Sequence, residues 1–153
     1  MGWRSDRRWG EYELQEDERY IIIPVMSGII DISQLNTPPE KHELATAKFF
    51  AERGKDIIFI KASNIPEVHT PDILMDGLEW EIKSPQGKAK RTIETNFRHA
   101  VDQSLYIIFD LRRINLPEKQ CIAQLEKEFI ARHAKKLLVI TKSGELLEYP
   151  QKS

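Results

Sequence analysis

The sequence is poor in cysteine, since Cys121 is the only one in 153 residues. A single cysteine cannot form an internal disulfide, and it excludes a cysteine-rich zinc site. Long apolar runs are also missing, because none approaches the roughly 20 residues that a transmembrane helix requires. The charged first 20 residues lack the apolar core of a secretory signal. We therefore expect a domain that does not associate with membranes.

An excess of charge of one sign is absent as well, because the net charge is −1. This value argues against a strongly basic nucleic-acid-binding protein, although it leaves room for a local basic patch. Apolar residues make up 41% and charged residues 31% of the chain, which argues against a disordered protein and is typical of a globular one. A chain of 153 residues is long enough for one domain with a hydrophobic core.

The pattern of short apolar runs and amphipathic stretches predicts an α/β fold, with a mixed β-sheet flanked by helices. Residues 1–38 are predicted to be a lead-in or linker with a short β element at 20–32, and residues 39–153 to form the functional domain. A helix over about 39–53 is expected to be capped by Asn36 or Thr37 and closed by Gly54. The later predicted elements are a strand over 56–62, a hairpin around 76–77, a helix over 92–103, a strand over 104–111, a helix over 117–133, and strands over 136–142 and 145–150.

The dipeptide Asp76-Gly77 is the strongest short-range hairpin signal in the sequence. A two-residue turn there pairs Met75 with Leu78 and, three positions further along the ladder, Asp72 with Glu81. Directly paired residues point to the same face of a sheet, with Cβ atoms about 5 Å apart. Strand alternation puts Lys83 on that face too. The hairpin therefore predicts two carboxylates and an ammonium group in one place.

Two interpretations of this arrangement are open from the pattern. Carboxylates held so close repel each other unless a positive charge lies between them, and a hard divalent ion such as Mg²⁺ suits oxygen ligands. On that interpretation Asp72 and Glu81 are metal ligands. The alternative is a solvated strand face that carries acids and a lysine, as antiparallel sheets often have.

Glu43 is a candidate third acid. Helical spacing places it in line with Ala47 and Phe50, at the edge of the apolar side of the helix. An acid directed toward a core is costly unless it is paired or bound to a metal. The alternative is an acid near a helix start, where the helix dipole favours it.

The helix over 92–103 carries a polar stripe beside its apolar one. The stripe consists of hydrogen-bonding side chains at helical spacing: Thr92, Asn96, His99 and Gln103. Four basic residues surround it and are candidates for phosphate contacts: Lys88, Lys90, Arg91 and Arg98. The alternative for both sets is an ordinary solvent-facing surface.

The order of these acids resembles a nuclease motif. Pro71-Asp72, eight further residues, and then Glu81 and Lys83 in the sequence EIK are similar to the PD-(D/E)xK nuclease superfamily, as is the helical Glu43 upstream. The resemblance implies a core of helix, three-stranded sheet, helix and strand, which fits residues 39–111. It also implies Asp72, Glu81 and Lys83 as the core site, with Glu43 as an additional metal ligand.

A longer part of the chain, roughly residues 39–149, resembles the CdiA C-terminal tRNA-nuclease toxin domains of contact-dependent growth inhibition. The stretches that carry this resemblance are PDILMDGLEWEIKSPQG, TIETNFRHAVDQS, YIIFDLRR and KKLLVITKSGELLEY. It implies a ribonuclease, preferably acting on tRNA, with the side of the helix that bears Thr92, Asn96 and Gln103 facing the substrate. It further implies a neutralising immunity protein, and action in the cytoplasm after delivery from another cell as part of a larger exported protein.

We therefore expect a metal-dependent endonuclease, with Mg²⁺ preferred and Zn²⁺ or Mn²⁺ possible. Lys83 would orient the attacking water or neutralise the phosphorus centre. If the ribose 2′-hydroxyl is the nucleophile instead, His99 is a candidate proton carrier. The alternatives are a DNA endonuclease of the same fold and a non-catalytic nucleic-acid-binding module.

Overall fold

The computed structural model describes residues 27–151, so the predictions for residues 1–26 lie outside it. The chain divides into two compact units, one ending at Phe59 and the other beginning at Ile60. The strands between residues 27 and 151 are β1 (Ile30–Asp31), β2 (Ile57–Phe59), β3 (Ile73–Met75), β4 (Leu78–Lys83), β5 (Tyr106–Asp110), β6 (Lys136–Ile140) and β7 (Leu146–Tyr149). The helices are α1 (Lys41–Ala51), α2 (Thr92–Gln103) and α3 (Glu118–Ala131), with one 3₁₀ turn at Leu111–Arg113. The predicted mixed α/β fold is confirmed, whereas the division at residues 38 and 39 stays a prediction.

The first unit contains β1 and β2, which pair in parallel, and α1. The predicted caps of α1 were wrong, because its N-cap is Glu40 rather than Asn36 or Thr37. A residue before a proline is held out of the α conformation, so the helix cannot begin before Pro39, and it begins two residues later, at Lys41. The start is then stabilised by the Glu43 carboxylate, which accepts the backbone N–H of Glu40 at 3.1 Å.

Gly28 lies where two backbone segments of this unit approach each other closely. Its N–H donates to the carbonyl of Ala51 at 2.7 Å. A Cβ atom at this position would lie 1.7 Å from the carbonyl oxygen of Lys55, so the contact requires glycine. This glycine interrupts the predicted β element at 20–32, of which the described residues form only the two-residue β1.

The second unit contains a sheet of five strands. β3 and β4 form an antiparallel hairpin, β4, β5 and β6 run parallel, and β7 returns antiparallel to β6. α2 connects β4 to β5, and α3 connects β5 to β6, as expected for parallel strands that require crossover helices. The two helices pack against each other, and the buried residues between helices and sheet form one core.

One face of this sheet lies under α2. Glu81 is in register with Ile107 and Lys83 with Phe109, so these four side chains share a face. The ring of Phe97 from α2 stacks on Phe109 with 5.7 Å between centroids. The alternative of a solvated face is therefore wrong at Glu81, which is only 6% exposed because helix and neighbouring strand cover it.

No helix between residues 27 and 151 has the length and apolarity needed to cross a bilayer.

Candidate active site

The β3–β4 hairpin has the predicted turn and register. Asp76 and Gly77 both have positive φ, 56° and 76°, which is the signature of a type I′ turn. Met75 pairs with Leu78, Leu74 with Glu79 and Ile73 with Trp80, as predicted. The paired ladder ends there, so the predicted direct pair of Asp72 with Glu81 is not part of it. The twist of a type I′ turn matches the right-handed twist of the flanking strands, so the register is fixed locally.

Asp72 lies directly before β3 and is held at both its backbone and its side chain. Its N–H donates to the carbonyl of Trp80 at 2.9 Å, and its Oδ2 accepts the N–H of Ile82 at 2.8 Å. Its own carbonyl accepts the N–H of Ile60 at 2.9 Å. Because Trp80 and Ile82 flank Glu81 on β4, these bonds place the Asp72 carboxylate beside the Glu81 carboxylate.

Glu81 is a buried acid with an incomplete set of partners. Its Oε2 lies 3.3 Å from Nζ of Lys83, while its Oε1 is buried and accepts no hydrogen bond. Burial, followed by the negative charge of Asp72, raises the pKa of Glu81 from 4.5 to about 8, and Lys83 acts in the opposite direction. At neutral pH this carboxyl group therefore holds a proton unless another cation compensates its charge.

The two acids fit a divalent cation as part of a ligand set. Glu81 offers an oxygen without a partner, and a nearby cation would remove the repulsion between Glu81 and Asp72. Within residues 27–151, no group of three or more His, Cys, Asp or Glu side chains is arranged to hold a metal ion. Mg²⁺ commonly takes only one or two protein carboxylates and fills its other positions with water and substrate phosphate. A pair of acids is therefore sufficient for such an ion.

Glu43 lies in the first turn of α1, in the first unit, and is half-buried. Its hydrogen bond to Glu40 shows that it stabilises the helix start, as in the alternative interpretation. Its role as a metal ligand stays a prediction.

The polar stripe of α2 is half-buried except for His99, which is exposed. Asn96 donates from Nδ2 to the carbonyl of Thr92 at 2.9 Å, one turn earlier. Gln103 has a buried Oε1 without a hydrogen-bond partner. The stripe thus retains hydrogen-bonding capacity, and its contact with nucleic acid stays a prediction.

The four predicted phosphate-binding residues are solvent-exposed, at the start of α2, on α2 itself and in the loop before it: Lys88, Lys90, Arg91 and Arg98. Arg91 forms two hydrogen bonds with Glu94, of 3.0 and 3.3 Å. The carbonyl of Lys90 accepts a 3.4 Å hydrogen bond from Gln124 of α3. The loop is therefore tied to both helices, while its ammonium groups remain accessible to solvent.

Sequence reasoning missed one contact next to the site. Arg113 donates two hydrogen bonds to the carbonyl and one to the hydroxyl of Ser84, the residue after Lys83. The two residues are 29 positions apart, so no local periodicity relates them. Only the dipeptide Arg112-Arg113 directly after a buried strand could have drawn attention to it.

Comparisons with known proteins bear on the fold and the family of this chain. No curated protein matches the chain. Among solved structures, the "CdiA-CT/CdiI toxin and immunity complex from Burkholderia pseudomallei" is similar in fold, with a TM-score of 0.58 and 20% sequence identity. The similarity covers 79% of this chain and 98% of the matched one. The model of the contact-dependent growth inhibition CdiA C-terminal domain family matches residues 69–146, which include Asp72, Glu81 and Lys83 and make up just over half of the 153 residues. The chain therefore belongs to the contact-dependent growth inhibition CdiA C-terminal domain family.

Proposed function

We propose that this chain is a metal-dependent ribonuclease, a toxin domain that cleaves phosphodiester bonds of tRNA or another RNA. The observation that carries the proposal is the convergence of Asp72, Glu81 and Lys83 across the β3–β4 hairpin, with a buried carboxylate oxygen that has no partner. A purely structural role does not account for that oxygen, because a buried acid without its full set of hydrogen bonds destabilises a fold.

Asp72 and Glu81 would hold the cation. Bound there, a divalent ion supplies positive charge to the phosphate and lowers the pKa of a coordinated water. The hydrogen bond from Ile82 to Asp72 Oδ2 fixes the orientation of one carboxylate. The ion pair with Lys83 fixes the other, so the two acids are held ready without rearrangement.

Lys83 has donors beyond the one that faces Glu81. An ammonium group carries three N–H donors, and the contact with Glu81 Oε2 at 3.3 Å accounts for one of them. The others would orient the attacking water or neutralise charge that develops on the phosphorus centre. If the nucleophile is instead the ribose 2′-hydroxyl, the exposed His99 on α2 would carry the proton.

The substrate would lie along α2 and the loop before it. Lys88 and Lys90 are exposed there, and the half-buried amides of Asn96 and Gln103 offer hydrogen bonds. Contacts from cations to phosphates would provide affinity, which makes binding dependent on salt. The preference for RNA, and for tRNA within it, rests on the resemblance to the CdiA C-terminal tRNA-nuclease domains.

Two further parts of the proposal concern the setting of the domain. A toxin of this kind would be carried on a larger exported protein, delivered to another cell and act in its cytoplasm. The producing cell would require an immunity protein that covers or distorts the site. The similarity in fold to a chain of a toxin and immunity complex supports such a partner.

A cleavage assay tests the function. The parent chain is incubated with total tRNA, a generic single-stranded RNA and duplex DNA, each with Mg²⁺ and with EDTA. Asp72→Asn removes one negative charge but keeps an oxygen that can accept the Ile82 N–H, so the hairpin should persist. We expect the parent to cleave tRNA with Mg²⁺ only, and Asp72→Asn and Lys83→Met to lose at least about 100-fold in rate.

Glu79→Gln is the matched control, because Glu79 is an exposed acid on the same strand, two residues before Glu81. It should cleave at the rate of the parent. Equal rates in Asp72→Asn and the parent would refute the site, and cleavage of duplex DNA alone would favour the DNA endonuclease. Binding of RNA without any turnover by the parent would instead identify a non-catalytic binding module.

A further inference from the structure

An arginine holds the chain immediately after Lys83. Ser84 follows the last residue of β4 and is 8% exposed. Arg113 donates from Nε to the Ser84 carbonyl at 3.1 Å and to the Ser84 Oγ at 3.1 Å, and from Nη2 to the same carbonyl at 2.5 Å. The guanidinium plane thus grips Ser84 with two adjacent nitrogens, a geometry that lysine cannot reproduce.

The hydrogen bonds between Arg113 and Ser84 lie just beyond the point where the pairing of β4 with β5 ends. The registered pairing of β4 with β5 stops at Lys83 and Phe109, so the arginine extends the attachment of the strand by one residue. Three residues later Gly87 forms an isolated bridge with Ile114, and the Gly87 carbonyl accepts the N–H of Asn115 at 2.8 Å. Segment 84–87 is therefore fastened to segment 113–115 at both of its ends.

The charge of Arg113 is not neutralised within the described part of the chain. All of its hydrogen bonds there go to Ser84, and no carboxylate lies within ion-pair distance of it. The neighbouring Arg112 differs, since it forms a two-point ion pair with the buried Asp110, of 2.9 and 2.8 Å. Arg113 therefore adds positive charge beside the site in addition to holding the backbone.

We propose that Arg113 is a positioning residue of the nuclease site. It would hold Ser84 so that Lys83 is aimed at the scissile phosphate, and so that the loop bearing Lys88 and Lys90 meets the flanking phosphates. This inference rests on the proposed function and deepens it. Removal of the grip leaves a buried carbonyl without a partner and frees the strand end that carries Lys83. Displacement of a reacting group by about 1 Å costs on the order of 100-fold in rate.

The test compares Arg113→Gln, Arg113→Lys and Ser84→Ala, with Lys127→Gln as the control. Lys127 is an exposed cation on α3 outside the site. Lys127→Gln therefore removes one positive charge, as Arg113→Gln does, but leaves the contact with Ser84 intact. With rates expressed per folded protein, we expect Arg113→Gln to lower kcat about 10- to 100-fold while KM changes less than about 3-fold. Arg113→Lys should recover part of kcat, because one ammonium group still reaches the carbonyl. Ser84→Ala should lose less, because it removes only one of the three hydrogen bonds.

Amide hydrogen exchange provides the second measurement, which does not depend on turnover. The amides of Ser84, Gln86 and Gly87 should exchange at least about 10-fold faster in Arg113→Gln than in the parent, and Lys127→Gln should not change them. The inference is overturned if Arg113→Gln leaves either the exchange rates of these amides or kcat unchanged. It is also overturned if Arg113→Lys has the kcat and KM of the parent while Arg113→Gln raises only KM. An inactive parent would refute the proposed function itself, whereas an active parent with an unchanged Arg113→Gln kcat would refute only this inference.

Discussion

The substitution Glu81→Gln should make the fold more stable near neutral pH while it removes activity. The folded chain raises the pKa of Glu81 to about 8, whereas its ordinary value is 4.5. Between those two pH values the folded chain holds a proton that the unfolded chain releases. The free energy of unfolding of the parent therefore falls as the pH rises through this window, by up to about 1.4 kcal/mol per pH unit.

From about pH 5 to about pH 7.5, that slope amounts to roughly 3 kcal/mol for this one group. Glutamine resembles the protonated acid in shape and cannot ionise, so the variant lacks this contribution. We expect the parent and Glu81→Gln to be equally stable within about 1 kcal/mol near pH 5. Near pH 7.5 the variant should be more stable by roughly 3 kcal/mol.

Urea denaturation at a series of pH values, followed by circular dichroism, measures this difference. Glu79→Gln is the control, because Glu79 is exposed on the same strand and should leave the pH dependence unchanged. Millimolar Mg²⁺ should stabilise the parent near pH 7.5 and have less effect on Glu81→Gln, since the cation needs the ionised acid. If the difference in free energy of unfolding between the parent and Glu81→Gln does not change with pH, burial and the charge of Asp72 do not raise the pKa of Glu81 as argued.

Three further predictions concern the hairpin. Trp80→Phe should lower the free energy of unfolding, measured by urea denaturation, by about 1–3 kcal/mol. The reason is that Trp80 Nε1–H donates to the buried carbonyl of Met75 at 3.0 Å. A loss below about 0.5 kcal/mol would contradict this prediction. Gly77→Ala should lower the free energy of unfolding by roughly 1 kcal/mol, because φ at this turn position is 76° and a residue with a Cβ atom is strained there. Equal thermal unfolding midpoints for the variant and the parent would contradict this prediction. Lys83→Met should raise the pKa of Glu81 further, since the ammonium group lowers it in the parent. Carboxyl ¹³C chemical shifts measure that titration, and an unchanged or lower midpoint would refute the role of the ion pair.

The hairpin could be predicted from the sequence because its determinants are local. Asp76-Gly77 fixes the turn, and the turn fixes the register as far as Ile73. Asp72, the next residue, is then held beside Glu81 by its hydrogen bonds with Trp80 and Ile82. The elements after the hairpin were likewise predicted in their observed order, with ends that agree within two residues. Apolar residues recur about every two residues in a strand and every 3.6 residues in a helix, and a single sequence is enough to show this spacing.

The features that were not predicted depend on residues distant in the chain. The burial of Glu81 results from β5 and α2, which contribute Ile107 and Phe97 to the same side of the sheet. The contact of Arg113 with Ser84 spans 29 positions. The start of α1 was predicted too early because a cap signal at Asn36 was given more weight than the steric restriction before Pro39.

The short sequence separation of the acids has a consequence for folding. Asp72, Glu81 and Lys83 lie between positions 72 and 83, so a single hairpin brings them together, and hairpins form in about 1–10 μs. Covering Glu81 requires the later docking of β5 and α2, which bring in residues up to 110. We therefore expect the carboxylates to meet while still hydrated and ionised, and proton uptake by Glu81 to mark the step at which helix and strand close over them. Refolding in a weakly buffered solution with a pH indicator would report that late step separately from the first formation of β-structure.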